Sequence, residues 1–276
     1  MREPGLISKQ LRDSGREEIK DKAVPEDIGS SDWSNTQFVR LVAIGKRFTK
    51  VNFSSSTFDS CYLRNCQFDR CNFTGAHFVS TNMHGAKFRG CVFDYALFER
   101  TVIDDDVLTD NCPSHENLKM RFARSLRMNY QQMGNAFGVN RAIRVELDAT
   151  EVHLYKAWRA NDHYYRTKYR GALRRAIAFL SWLKFKFLDY AWGNGESLLS
   201  LLRAVLVILV LIVGLDFSYN PIAQPILAGS LRAPSIFFGV AQPEYIPLGW
   251  LTVIVILRLV FFGFFMAIVI KRFNRR

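Results

Sequence analysis

A chain of 276 residues, 49% of them hydrophobic, is long enough for more than one structural unit. Its net charge of +12 admits nucleic acid or anionic lipid as a partner. No Gly-rich phosphate loop with Lys and no nucleophile elbow is present, and His77, His84, His115, His153 and His163 are scattered, so no catalytic residue, metal site or cofactor is expected and the sequence points away from an enzyme.

Residues 1–36 are polar and mixed in charge, and read as a lead-in with a weak helix at 6–20. No apolar core of a signal peptide occurs in 1–44, so the N-terminal part is expected to stay on the side of synthesis.

A strict repeat follows. Phe48, Phe53, Phe58, Leu63, Phe68, Phe73, Phe78, Met83, Phe88, Phe93, Phe98, Ile103 and Leu108 fall at every fifth position. Two positions before most of them stands a small residue: Ser56, Cys61, Cys66, Cys71, Ala76, Thr81, Ala86, Cys91, Ala96 or Thr101. Neither a helix nor a flat strand has a period of five, so the pattern predicts a solenoid. Over 37–108 it resembles the pentapeptide-repeat family, which implies a right-handed quadrilateral β-helix with four repeats per coil; the unit is taken as 37–112. Residues twenty apart then stack at about the 4.8 Å spacing of paired strands, and the ends of such a rod need caps.

Cys71 and Cys91 lie one coil apart, which raises a metal or redox site, but a small inward position filled by Cys, Ala, Ser and Thr alike favours packing. Mimicry of DNA would need an acidic rod. In 46–110 eight Lys and Arg balance eight Asp and Glu.

Residues 113–196 read as a basic helical linker. Ser114 is the candidate N-cap, and Leu118, Phe122, Leu126, Tyr130 and Met133 recur at near-helical spacing. Gly134-Asn135 interrupts, and a second helix is expected over 136–169. From Ser114 to Trp192 fifteen Lys and Arg face six Asp and Glu, gathered toward Arg166, Lys168, Arg170, Arg174, Arg175, Lys184 and Lys186. Interleaved with Ile177, Phe179, Leu180, Trp182, Leu183, Phe185 and Phe187, these predict a helix over 172–192 lying on anionic headgroups rather than on nucleic acid. Gly193 and Gly195 form a turn that is either a hinge or a corner.

Residues 197–276 hold two apolar runs, 198–215 and 248–270, of the length that crosses a bilayer. The loop between has five prolines and an apolar middle, 226–240, expected to re-enter the membrane. Lys and Arg before the first run and in the tail put both termini in the cytoplasm of an inner-membrane protein with two spans, and the five cysteines in a reducing compartment. The whole is a β-helix, then an α-helical segment, then two transmembrane helices.

The helix, the segment Ser235-Ile236-Phe237-Phe238-Gly239-Val240, and a second helix resemble the two-helix pore module of potassium-channel-like proteins, although of the family's filter motif only the first glycine, Gly239, is kept. The resemblance implies a homo-oligomer, a tetramer in its simplest form, with Ser235, Phe238, Gly239, Val240 and Arg258 at the pore. Arg258, mid-run, either lines a lumen or bonds the re-entrant loop of its own chain. Gly263 and Ala267 are placed for close helix packing. Three functions follow as expectations: an oligomeric pore with a cytoplasmic sensing domain, a membrane-anchored scaffold for a cytoplasmic protein, and a depolarising effector of a defence or toxin system.

Overall fold

The computed structural model describes residues 16–159, 162–195, 197–220, 226–241 and 243–273. The expected helix at 6–15, the prolines Pro221 and Pro225, Glu196, Gln242 and the tail 274–276 lie outside these residues. The chain forms two compact units, Met1–His153 and Leu154–Arg276.

The first unit is the solenoid. Its strands are β1 (Glu17–Lys20), β2 (Ile28–Gly29), β3 (Thr36–Val39), β4 (Arg47–Thr49), β5 (Thr57–Asp59), β6 (Gln67–Asp69), β7 (His77–Val79), β8 (Lys87–Arg89) and β9 (Leu97–Glu99). They pair in parallel as two ladders, β1-β3-β5-β7-β9 and β2-β4-β6-β8. The remaining sides are joined by single bridges, such as Val42↔Tyr62↔Asn82↔Val102. The large residue of each repeat is buried, and the rings stack one coil apart in columns with centroids 4.8 to 5.2 Å apart, for example Phe53 on Phe73 on Phe93. The last residue of each repeat turns the corner with positive φ, from Asn35 (53°) to Arg100 (47°). That conformation costs a non-glycine residue ~1–2 kcal/mol, offset by the ladder on both sides.

The small inward residue does more than leave room. At every tenth position from Cys61 its side chain donates to the carbonyl twenty-three residues earlier: Cys61 to Phe38, Cys71 to Phe48, Thr81 to Phe58, Cys91 to Phe68, Thr101 to Phe78 and Asn111 to Phe88, at 3.0 to 3.4 Å. These carbonyls lie at the end of a strand, and the side chain adds a donor to each from inside the rod. Ala76, Ala86 and Ala96 occupy the other sides, where their own amides close turns onto Phe73, Met83 and Phe93. Ser56 and Cys66, which share those sides, donate in the same way to the carbonyls of Trp33 and Ala43 at 2.6 Å. Burial pushes the Cys61 thiol up to about 11, so it serves as a donor and not as a nucleophile. Among the described residues no group of His, Cys, Asp and Glu is arranged to hold a metal.

Both boundaries of the solenoid differ from the sequence reading. The first coil begins at Glu17, within the expected lead-in, and β1 replaces the helix expected at 17–20. It has nineteen residues instead of twenty: Ile19 pairs with Phe38 but Ile28 with Phe48. Its inward residues Ile19, Val24, Ile28 and Trp33 are therefore spaced five, four and five, and the four hides the repeat.

At the other end, α1 (Val107–Asp110) finishes the last coil, and the next helix, α2 (Glu116–Gln132), is its cap. Phe122 covers Phe93 and Phe98 at 5.5 and 5.9 Å. Ser125, Asn129 and Gln132, all on one face of α2, accept from the amides of Phe98, Thr101 and Arg100 at 2.9, 2.7 and 3.0 Å, and the Asn129 amide donates to the Thr101 carbonyl at 2.8 Å. A helix thus stands where the next strand would be, closing an edge that would otherwise pair with another chain. Val139 and Ala142 of α3 (Ala136–Arg159) join the same core, and Arg141 pairs with Asp105. The stretch read as a linker from 113 is therefore part of the solenoid unit as far as His153. Ser114 is not the N-cap; His115 holds that place, with no side-chain bond. The helix expected over 136–169 ends at Arg159, and α4 (His163–Lys168) is separate.

Two substitutions test this architecture. Phe73→Ala removes the middle ring of a column and is expected to destabilise the chain by ~3–5 kcal/mol, and Asn129→Leu by ~1–3 kcal/mol for each Thr101 group left unpaired. Thermal melts of the full chain in neutral detergent, followed by circular dichroism, read both; a parental melt for either contradicts the packing described.

Candidate functional site

The second unit holds α5 (Ala172–Trp192), a short turn Gly193–Gly195, α6 (Leu198–Tyr219), α7 (Ile226–Phe238) and α8 (Leu248–Phe273). Two of these, α6 and α8, are long and apolar enough to cross a membrane. Both exceed the apolar runs of the sequence. Ser197 caps α6, accepting from Ser200 N at 3.1 Å. At its far end Asp216, read as the first loop residue, lies inside α6 and is buried, with its carboxylate taking the hydroxyl proton of Tyr245. That partner lies twenty-nine residues away, which is why the helix can continue through an acid.

Ile208 and Ile212 of α6, Ala233, Ile236 and Phe237 of α7, Ile246, and Ile254 of α8 form one small core. The opposite faces stay uncovered: Leu199, Leu206, Val210, Leu211 and Phe217 on α6, Leu259 and Phe262 on α8.

The expected pore residues sit at the end of α7. Gly239 has φ +78° and terminates the helix: its amide donates to Ile236 O at 3.1 Å, and Val240 N to Ser235 O at 2.8 Å. This reciprocal pair is a Schellman cap, in which glycine is favoured for its backbone freedom. The Ser235 carbonyl also takes the Ala241 amide at 3.1 Å, so it is engaged by capping bonds and not turned free toward a passing ion. Ser235 itself is half-buried, and the side chains of Phe238 and Val240 are exposed. Arg258 reaches across from α8 to Gly239: a Cβ at that glycine would lie 3.1 Å from the guanidinium carbon and closer still to Nη1. Arg258 thus lies beside Gly239 of its own chain.

Gly193 is the left-handed C-cap of α5, with φ 62°. A Cβ there would meet Ser197 Cβ at 2.5 Å, and one at Gly195 would meet the Trp192 ring at 3.6 Å. The glycines thus make a filled corner, and Trp192 stacks on Phe264 of α8 at 4.1 Å. Gly263 and Ala267 are exposed, with nothing described within 4 Å of a Cβ at Gly263. Arg203, near the start of α6, donates to Tyr190 O at 2.8 Å and lies over the Tyr190 ring.

The helix expected over 172–192 is present with those bounds. Phe179 and Trp182 pack on Trp158 from the end of α3. On the other side Leu173, Ile177, Leu180, Leu183 and Phe187, spaced four, three, three and four, form one exposed apolar stripe.

The comparisons bear on the first unit. The family model for pentapeptide repeats matches residues 56–94 in eight copies. Trypsin-treated QnrB1, a plasmid-mediated fluoroquinolone resistance protein, is similar at 21% identity over 32% of this chain and 54% of that one, with a TM-score of 0.18. A pentapeptide repeat protein from the Arabidopsis thaliana thylakoid lumen is similar at 15% identity over 31% of this chain and 72% of that one, with a TM-score of 0.14. The chain thus spans about half the length of QnrB1. No curated protein matches it in sequence.

Gly239→Ala is expected to destabilise the second unit by ~1–2 kcal/mol or more, since it adds left-handed strain to a clash with Arg258. Gly263→Ala, at a helical site that nothing approaches, is expected to be neutral or to gain up to ~1 kcal/mol. Melting both variants of the full chain in neutral detergent checks the contrast, and equal effects would contradict it.

Proposed function

We propose that this chain is a membrane-anchored interaction module, in which the hairpin of α6 and α8 crosses the bilayer and the solenoid recruits a cytoplasmic protein, with no catalysis of its own. The observation that carries the reading is the uncovered apolar surface. The most apolar windows of α6 and α8 are only 22% and 11% buried, where the core helix of a water-soluble protein is mostly buried. The cations of α4 and α5 before the hairpin and Lys271 after it favour a cytoplasmic placement of both ends. A rigid rod with outward positions free of structural duty suits a surface that others bind.

A second reading, an oligomeric pore or a triggered depolarising unit, is favoured by α7. Thirteen residues make a helix of about 20 Å, too short for the ~30 Å hydrocarbon core, and it stands between two helices that are long enough. Such a half-length segment is tolerated in lipid where protein covers it or it lines water. Ion flux from liposomes containing the purified full chain tests this reading, and tight liposomes under every trigger remove it.

For the leading reading, the full chain is expected to stay in the membrane pellet after alkaline carbonate extraction, and a chain ending at Gly195 to be released. Release of the full chain would overturn the anchor. Exchange of α6–α8 for an unrelated two-span anchor is expected to preserve recruitment; loss of activity on that exchange would favour the pore.

A further inference from the structure

In the solenoid unit Arg40 pairs with Asp21, Lys87 with Asp106, Arg124 and Arg127 with Glu146, and Arg141 with Asp105. At the α4–α5 junction Arg166, Arg170 and Arg175 converge on one open cleft of about 820 Å³, lined also by His163 and Thr167. Among the described residues no carboxylate forms an ion pair with any of the three arginines. Three like charges held around one space repel each other unless an anion enters it. Guanidinium groups suit a phosphodiester, because each can offer two parallel N–H donors to its two non-bridging oxygens.

The cleft opens at the start of the apolar stripe. Leu173, the residue after the cleft-lining Ala172, begins the line that runs through Ile177, Leu180 and Leu183 to Phe187. An occupant that satisfies both features has a phosphate and hydrocarbon joined together. A free anion would leave the stripe in water, and an apolar ligand would leave the arginines unpaired.

Resting on the membrane reading above, we propose that the α4–α5 junction is a binding site for the phosphate of an anionic phospholipid. Arg166, Arg170 and Arg175 grip the phosphodiester oxygens, and α5 lays its stripe into the acyl boundary of the same leaflet. The exposed first-turn amides of α5, which Gly171 leaves without a side-chain cap, add donors at the mouth of the cleft.

The test uses the full chain in neutral detergent, titrated with dioctanoyl phosphatidylglycerol, dioctanoyl phosphatidylcholine or inorganic phosphate, with bound lipid counted by native mass spectrometry. The phosphatidylglycerol is expected to bind saturably and the choline lipid at least tenfold more weakly. R166Q/R170Q/R175Q is expected to lose about tenfold or more, since each solvent-screened charge contact contributes a few-fold in affinity. R166K/R170K/R175K, which keeps the charges but not the paired N–H donors, should bind between the parent and the glutamine variant. Circular dichroism checks the fold, and if the glutamine variant loses helicity, the exposed single site R170Q is read instead, with a few-fold weakening expected. Unchanged binding by the glutamine variant, equal binding of the two lipids, or displacement of the lipid by inorganic phosphate at equal concentration each overturns the proposal. If any of these occurs while the parent resists carbonate extraction, the headgroup site fails and the membrane reading stands; extraction of the parent removes both.

Discussion

The constraint on which the second unit depends is that no described part of the chain covers the outward faces of its longest helices. Leu199, Leu206, Val210, Leu211 and Phe217 of α6 and Leu259 and Phe262 of α8 are exposed together. At ~1.5–3 kcal/mol for each large apolar side chain left in water, these seven alone would cost roughly 10–20 kcal/mol. That is the size of the whole stability of a typical domain. In the proposed membrane-anchored state, hydrocarbon removes the penalty. The same requirement explains why polar groups inside the hairpin are held within the chain: Asp216 takes the Tyr245 hydroxyl, Arg258 lies against Gly239, and the end of α7 is closed by its own amides.

The first unit solves a different problem with the same economy of unpaired groups. A rod of parallel strands has interior carbonyls at its corners and a free edge at each end. Donors at every tenth inward position take the carbonyls, and α2 takes the last edge with three side chains on one face. Ring stacking supplies the cohesion, but these polar details set where the rod stops and keep it from adding strands from a neighbour.

The five-residue period was legible because each repeat places its large residue by local geometry, and stacking twenty residues apart follows from that alone. The first coil was hidden by one missing residue between Val24 and Ile28. The cap was hidden because Ser125, Asn129 and Gln132 act on backbone amides of β9 and its corner, a pairing that no periodicity encodes. The helix read as a linker therefore belongs to the rod. In the hairpin, the spans could be read from length and apolarity, whereas Gly239 was read only through the pore resemblance. In the structure the amides of Gly239 and Val240 cap α7, a bonding pattern that the residue types alone do not encode. Asp216 looked like the end of a helix because its partner, Tyr245, comes from the loop before α8.

Photolabelling of the full chain in lipid bilayers with a membrane-soluble carbene precursor, read by peptide mass spectrometry, probes this account where it is most exposed. Adducts should fall on the outward side chains of α6 and α8 and be absent from the strands between Thr36 and Glu99. Unlabelled α6 and α8, or labelling spread equally over the rod, would show that lipid does not cover these helices.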